Sequence, residues 1–237
     1  MIAYAAIDLR GGRVVQLVGG KPEKERIALP DPLAVARRWI DAGFAALHVV
    51  DLDAALESGN NREAIAEILQ AVSVPVQVGG GVRDDAAAKW LISAGAARIV
   101  VGTRAIEDPA WLDALTHRYP ERVVVAVDMD QEQVLVRGWT FGIGLNPARL
   151  FQRLDRMALA ALLVTDVSRE GKAEGVNVDW FRSLTRVTRH PLIAAGGIAS
   201  MDDLRALADA GVAGAVLGMA LYTGRLDPAA VAREFGS

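Results

Sequence analysis

With 237 residues and an apolar content of 52%, the chain can bury a sizeable core, as one large domain or two small ones. A net charge of −3 from interspersed acidic and basic residues argues against nucleic acid as the main partner, while leaving room for a local basic pocket. The lack of cysteine excludes thiol catalysis, disulfides and thiolate metal sites. No apolar run reaches the roughly 20 residues of a membrane span, and no basic segment precedes an apolar stretch at the start, so the cytoplasm is the expected location.

Eight short β-branched or apolar runs alternate with eight amphipathic stretches. The first run, 2–7, leads into Asp8; a strand-like insert, Arg13–Val18, follows before a helix start at Asp31-Pro32. Runs at 46–51 and 75–78 come next, the second passing into Gly79-Gly80-Gly81-Val82. The run 98–101 passes into Gly102-Thr103, and Asp108-Pro109 opens a helix after it. The run 123–127 then leads into Asp128, with a second insert at Gln133–Arg137 and a helix start at Asn146-Pro147. Runs at 161–165, 192–195 and 214–217 end beside Asp166, Gly196-Gly197 and Gly218, and Asp227-Pro228 opens the last helix. Each Asx-Pro pair offers a capping side chain followed by a residue whose missing N–H costs nothing in the first helical turn. Ala42-Gly43, Ala94-Gly95 and Ala210-Gly211 fit helix ends.

The second half echoes the first. Ala6-Ile7-Asp8, Val49-Val50-Asp51, Gly80-Gly81-Val82 and Val101-Gly102-Thr103 recur about 115–120 positions later as Ala126-Val127-Asp128, Val164-Thr165-Asp166, Gly196-Gly197-Ile198 and Leu217-Gly218-Met219. Uninterrupted β/α alternation with internal symmetry predicts one (β/α)8 TIM barrel over 1–237, built from half-barrels of approximately 1–120 and 121–237. A doubly wound sheet is the competing α/β architecture, and the symmetry favours closure.

In such a barrel, strand C-termini form the catalytic mouth. Asp8 and Asp128, on opposite strands, would flank one substrate as general acid and general base. The glycines at 79–81, 102, 196–197 and 218 would let backbone N–H groups approach an anion at two opposite corners. Two corners imply a substrate with a phosphate at each end. Either aspartate could instead cap a turn, and either glycine pair could serve only a tight turn; the matched pairing favours the chemical reading.

The motifs Ala6-Ile7-Asp8-Leu9, His48-Val49-Val50-Asp51-Leu52, Gly79-Gly80-Gly81-Val82-Arg83, Arg137-Gly138-Trp139, Thr165-Asp166-Val167-Ser168-Arg169, Ala195-Gly196-Gly197-Ile198 and Gly218-Met219-Ala220-Leu221-Tyr222 occur in an order that resembles the ProFAR isomerase family of histidine biosynthesis. The resemblance spans essentially the whole chain. It implies a cofactor-free barrel, with no obligatory protein partner, that converts an aminoaldose bisphosphate to an aminoketose by an Amadori rearrangement. It further implies Asp8 as general base at ribose C2, Asp128 as general acid for ring opening, and Thr165 beside the substrate. Gly81, Gly102, Thr103, Gly197 and Gly218 would belong to the two phosphate cradles, with Gly80, Arg83, Gly196 and Met219 among the substrate- or phosphate-binding residues. Arg137, Trp139, Glu170 and Gly171 would line the substrate from the loops after the fifth and sixth strands, with Trp139 covering the aminoimidazole end. Gln16 stands where the family usually has Arg, Glu170-Gly171-Lys172 where it has Asp-Gly-Thr, and Met219 where a basic residue is common. These departures bear on substrate detail more than on reaction class. Three alternatives stand beside this reading. The sister cyclase would be expected to carry Cys-Leu-Asp at the first strand. A dual isomerase would also serve phosphoribosylanthranilate. A phosphosugar-binding protein would bind without turnover.

Overall fold

The computed structural model of the chain describes residues 1–130, 133–136, 138–139 and 141–236. Eight parallel strands, β1 (Ile2–Arg10), β2 (Leu47–Asp51), β3 (Val76–Gly79), β4 (Arg98–Val101), β5 (Val123–Asp130), β6 (Ala161–Asp166), β7 (Leu192–Ala195) and β8 (Gly214–Leu217), pair in sequence order. β8 pairs back onto β1 and closes the barrel. Each strand is followed by a helix: α1 (Pro32–Asp41), α2 (Arg62–Ala71), α3 (Asp85–Ala94), α4 (Pro109–Arg118), α5 (Pro147–Leu154), α6 (Val178–Thr185), α7 (Met201–Asp209) and α8 (Pro228–Phe235). Among the described residues, no helix is long and apolar enough to cross a membrane.

The predicted helix starts function as such. Asp31, Asp108, Asn146 and Asp227 each accept a backbone N–H from the first turn of α1, α4, α5 and α8, with proline at the next position. Gly95 ends α3 in the left-handed conformation, and Ala42 and Ala210 cap α1 and α7. A capping box between Ser200 and Asp203 opens α7.

Side-chain alternation along the strands divides the core in two. One set, with Ile7, Leu47, Val78, Ile99, Val125, Leu162 and Leu217, packs outward against helix residues such as Trp39, Leu112, Phe151 and Phe181. The other, with Tyr4, Val100, Val124, Leu163 and Ile193, includes no helix residue and fills the barrel interior.

Two strands run well past the predicted bounds. β1 and β5 extend to residues 10 and 130 because each folds back into an antiparallel hairpin, with Arg13–Leu17 and Gln133–Val136. These are the two inserts expected from the sequence, and each pairs with a further strand, Glu25–Leu29 and Phe141–Ile143. The hairpins rise on opposite sides of the mouth, since β1 and β5 lie four strands apart in a ring of eight.

Candidate active site

Asp8 and Asp128 occupy equivalent positions, each where a barrel strand gives way to its hairpin. Asp8 pairs with Val50 of β2 and Val15 of the hairpin; Asp128 pairs with Thr165 of β6 and Leu135 of its hairpin. The closed parallel sheet therefore aims both carboxyl groups into one mouth.

Burial pushes the Asp8 carboxyl up to about 7, and the hydrogen bond from Gln16 Nε2 (3.2 Å) only partly offsets it. Burial likewise raises Asp128, against hydrogen bonds from Thr165 and Trp139 that favour the ionised form. A third acid joins them. Glu170, on the loop after β6, is raised to about 7 by burial, then by the negative charges of Asp8 and Asp128, while the N–H of Gly171 pulls the other way. Asp8, Asp128 and Glu170 are each only partly exposed as residues. The charges of Asp8 and Asp128 both act on Glu170, and Asp8 and Glu170 retain protons near neutrality while burial also raises Asp128. That is the condition for one acid and one base to coexist at the same site.

The glycine corners are matched in geometry. Gly80 and Gly196 have φ of 93° and 94°, and a Cβ at either would stand 2.2 Å from the carbonyl oxygen of Asp51 or 2.4 Å from that of Asp166. Only glycine fits so close to the backbone of the preceding β-strand's end. Gly81 and Gly197 are comparably crowded, against Ala54 and against the carbonyl of Gly175. Gly102 and Gly218 open the short helices Thr103–Glu107 and Met219–Tyr222 with nearly the same backbone angles. Gly102 leaves room in the mouth, since an added Cβ would reach only Ala126 at 4.0 Å. Thr103 is the first residue of its helix, and Met219, buried, the first of the other.

Other predicted residues serve neighbouring loops. Arg83 donates to the carbonyls of Ala54 (2.8 Å) and Ala55 (2.6 Å) and lies 3.4 Å from Glu57, tying the β3 loop to the short helix Leu52–Ala55. Trp139 hydrogen-bonds Asp128, and its ring fills the space a side chain at Gly20 would need. Gly171 lies under the first hairpin, where a Cβ would stand 2.4 Å from the Leu17 carbonyl. Lys172 donates to the Ser168 carbonyl (2.6 Å). Arg137 lies outside the described residues.

Two polar clusters escaped the sequence reading as functional features. His48 and Gln77, on β2 and β3, are buried; Gln77 Nε2 donates to His48 Nδ1 at 2.8 Å, and burial lowers the imidazole to about 4, so the ring is neutral. Buried Asn61 gathers Asp51, Asp53 and the Leu9 carbonyl through its amide N–H groups, and it accepts from the Gly12 N–H. Asp53 also accepts from Gly11 N–H at 2.6 Å, which clasps the first hairpin to the loop after β2. The signal for the first cluster was a His-Gln pair on strands otherwise apolar; the second carries no local motif.

A family model described as histidine biosynthesis protein matches residues 2–227. The chain is 47% identical to a Gemmatimonas aurantiaca protein named 1-(5-phosphoribosyl)-5-((5-phosphoribosylamino)methylideneamino)imidazole-4-carboxamide isomerase, over 100% of both chains. It is 49% identical to the Myxococcus xanthus protein of the same name over 99% of both, and 39% identical to that of Methanocaldococcus jannaschii over 96% of both.

Proposed function

As a member of the ProFAR isomerase family of histidine biosynthesis, this chain is an isomerase, and we propose that it catalyses the Amadori rearrangement of ProFAR, an aminoaldose bisphosphate, to its phosphoribulosyl isomer. Protonated Asp128 donates to the ribose ring oxygen as the bond from that oxygen to C1 breaks, leaving an open-chain iminium. Ionised Asp8 takes the C2 proton, and the C2–H electrons form an enaminol. Asp8 then returns its proton to C1 while the 2-hydroxyl proton passes to Asp128. The product is a ketose, both carboxyls regain their starting states, and the sum is an isomerisation. The two glycine corners hold the two phosphates by backbone N–H groups, with Thr165 and Glu170 lining the cavity between them. The reaction runs in the cytoplasm without cofactor or obligatory protein partner.

One observation carries this reading: two carboxyls with raised proton affinity project from opposite strands into one mouth, between matched glycine corners. The test is spectroscopic turnover of ProFAR by the purified chain alone, with Asp8→Asn and Asp128→Asn beside it. Each variant should stay folded and lose about 10²–10⁴ in kcat, the usual contribution of a general acid or base. Near-normal kcat in either variant removes that residue from its role; ligand binding without turnover by the unaltered chain points to a binding protein.

A further inference from the structure

Gln16 is 3% exposed, on the hairpin strand that pairs with β1 beside Asp8. Its Nε2 donates to Asp8 Oδ2 at 3.2 Å and to the Val15 carbonyl at 3.1 Å. Both partners are acceptors, so only the amide nitrogen can serve there, and the orientation of the group follows. The opposite end then faces the corner at Gly218, where Oε1 lies 2.7 Å from the position a Cβ on that glycine would take. The amide is thus wedged between a carboxylate and a glycine that leaves space for it.

We propose that Gln16 is a positioning residue for Asp8, a neutral clamp that fixes the carboxylate through Oδ2 and is itself set by contact with the corner at Gly218. The proposal rests on the reading of Asp8 as the base. A neutral donor orients the carboxylate while leaving most of its proton affinity intact; a cation in the same place would lower that affinity by about 1–3 pH units. The Asp8 charge acts on Glu170 and on Tyr222, whose hydroxyl donates to the Ala6 carbonyl, and Asp128 and Asp166 act on Glu170 as well.

Gln16→Met keeps the volume and removes the bond. It should lower kcat about 10-fold or more, the cost of one hydrogen bond to a charged group, with KM within about 2-fold. The acid limb of kcat/KM should move to higher pH, because the lost bond favoured the ionised form. In an Asp8→Asn background the same substitution should cost little more, since a clamp acts only through what it clamps. Gly218→Ala, which crowds the amide from the other side, should move the acid limb in the same direction and covers the case in which Gln16→Met does not fold. An unchanged limb in both variants, or an equal loss in the Asp8→Asn background, overturns the clamp. Full turnover by Asp8→Asn alone overturns the base assignment instead, so the two failures are distinguishable.

Discussion

Replacing Asp8 by Asn should stabilise the protein above neutral pH while stopping its chemistry. Burial raises the Asp8 carboxyl from 3.8 to about 7, so the folded state binds a proton more tightly than the unfolded chain. Stability from that proton is fully present below about pH 4 and is lost as pH rises through 7. At about 1.4 kcal/mol per pH unit, the loss is at most about 4 kcal/mol, and partial contact with solvent reduces it to roughly 2–4. Asn carries no charge at any pH and can still accept from Gln16, so it escapes this cost. Relief of Glu170, which the Asp8 charge also raises, acts in the same direction. For a chain of this size each kcal/mol is worth about 2–4 °C, so the variant should melt roughly 4–16 °C higher at pH 8.5. Below about pH 4 the two proteins should nearly coincide, and at pH 5 roughly a third of the difference is already present. Melting curves from pH 4 to 8.5, read by calorimetry, give the comparison. A melting difference that does not change with pH would refute the reasoning, because the gain would then come from packing.

Gly102→Asp should weaken a bisphosphate ligand at least 10-fold by calorimetry with little change in melting temperature, since an added Cβ there meets only Ala126 at 4.0 Å and the new charge opposes the phosphate; unchanged affinity would leave that corner as a turn. Asn61→Ala should cost about 2–4 kcal/mol in denaturant unfolding, because Asp51 and the Leu9 carbonyl lose buried donors at 2.7 and 3.3 Å; a loss below about 0.5 kcal/mol would mean that water replaces the amide. Substrate choice should favour ProFAR over phosphoribosylanthranilate by 10-fold or more in kcat/KM, because the anthranilate carboxylate needs a cation and Gln16 offers a neutral amide already bonded to Asp8; equal efficiency on both would make the chain a dual isomerase.

The barrel was legible because its signals are local and repeated. Asx-Pro helix starts, Ala-Gly helix ends and apolar strand runs each have their own chemistry, and the half-to-half echo supplied the closure that single elements cannot. The carboxyl pair was legible because strand ends can be counted. Most of what escaped depends on contacts between segments far apart in sequence, and the rest on how a hairpin turns its side chains. Nothing near Gln16 announces that its amide reaches Asp8, and nothing near Glu170 announces that it feels both aspartates. Asn61 looks like an ordinary loop residue until the fold brings residues 9, 12, 51 and 53 around it. Gly20 and Gly171 read as loop glycines; their tight approach to Trp139 and to the Leu17 carbonyl exists only once the three loops meet.

That meeting bears on how the chain can change over evolutionary time. Surface loops ordinarily absorb insertions at little cost, because closure entropy grows slowly with length. The first hairpin lacks that freedom. Its tip is tied to Asp53 and Asn61 through Gly11 and Gly12, the Gly19 N–H donates to the Glu170 carbonyl at 3.1 Å, Leu17 overlies Gly171, and Gly20 lies beneath Trp139. One added or deleted residue between 11 and 20 would put at least two of these attachments out of register. Length variation should therefore accumulate at the opposite end of the barrel, leaving residues 11–20 as a segment whose side chains can drift while its count of residues stays fixed.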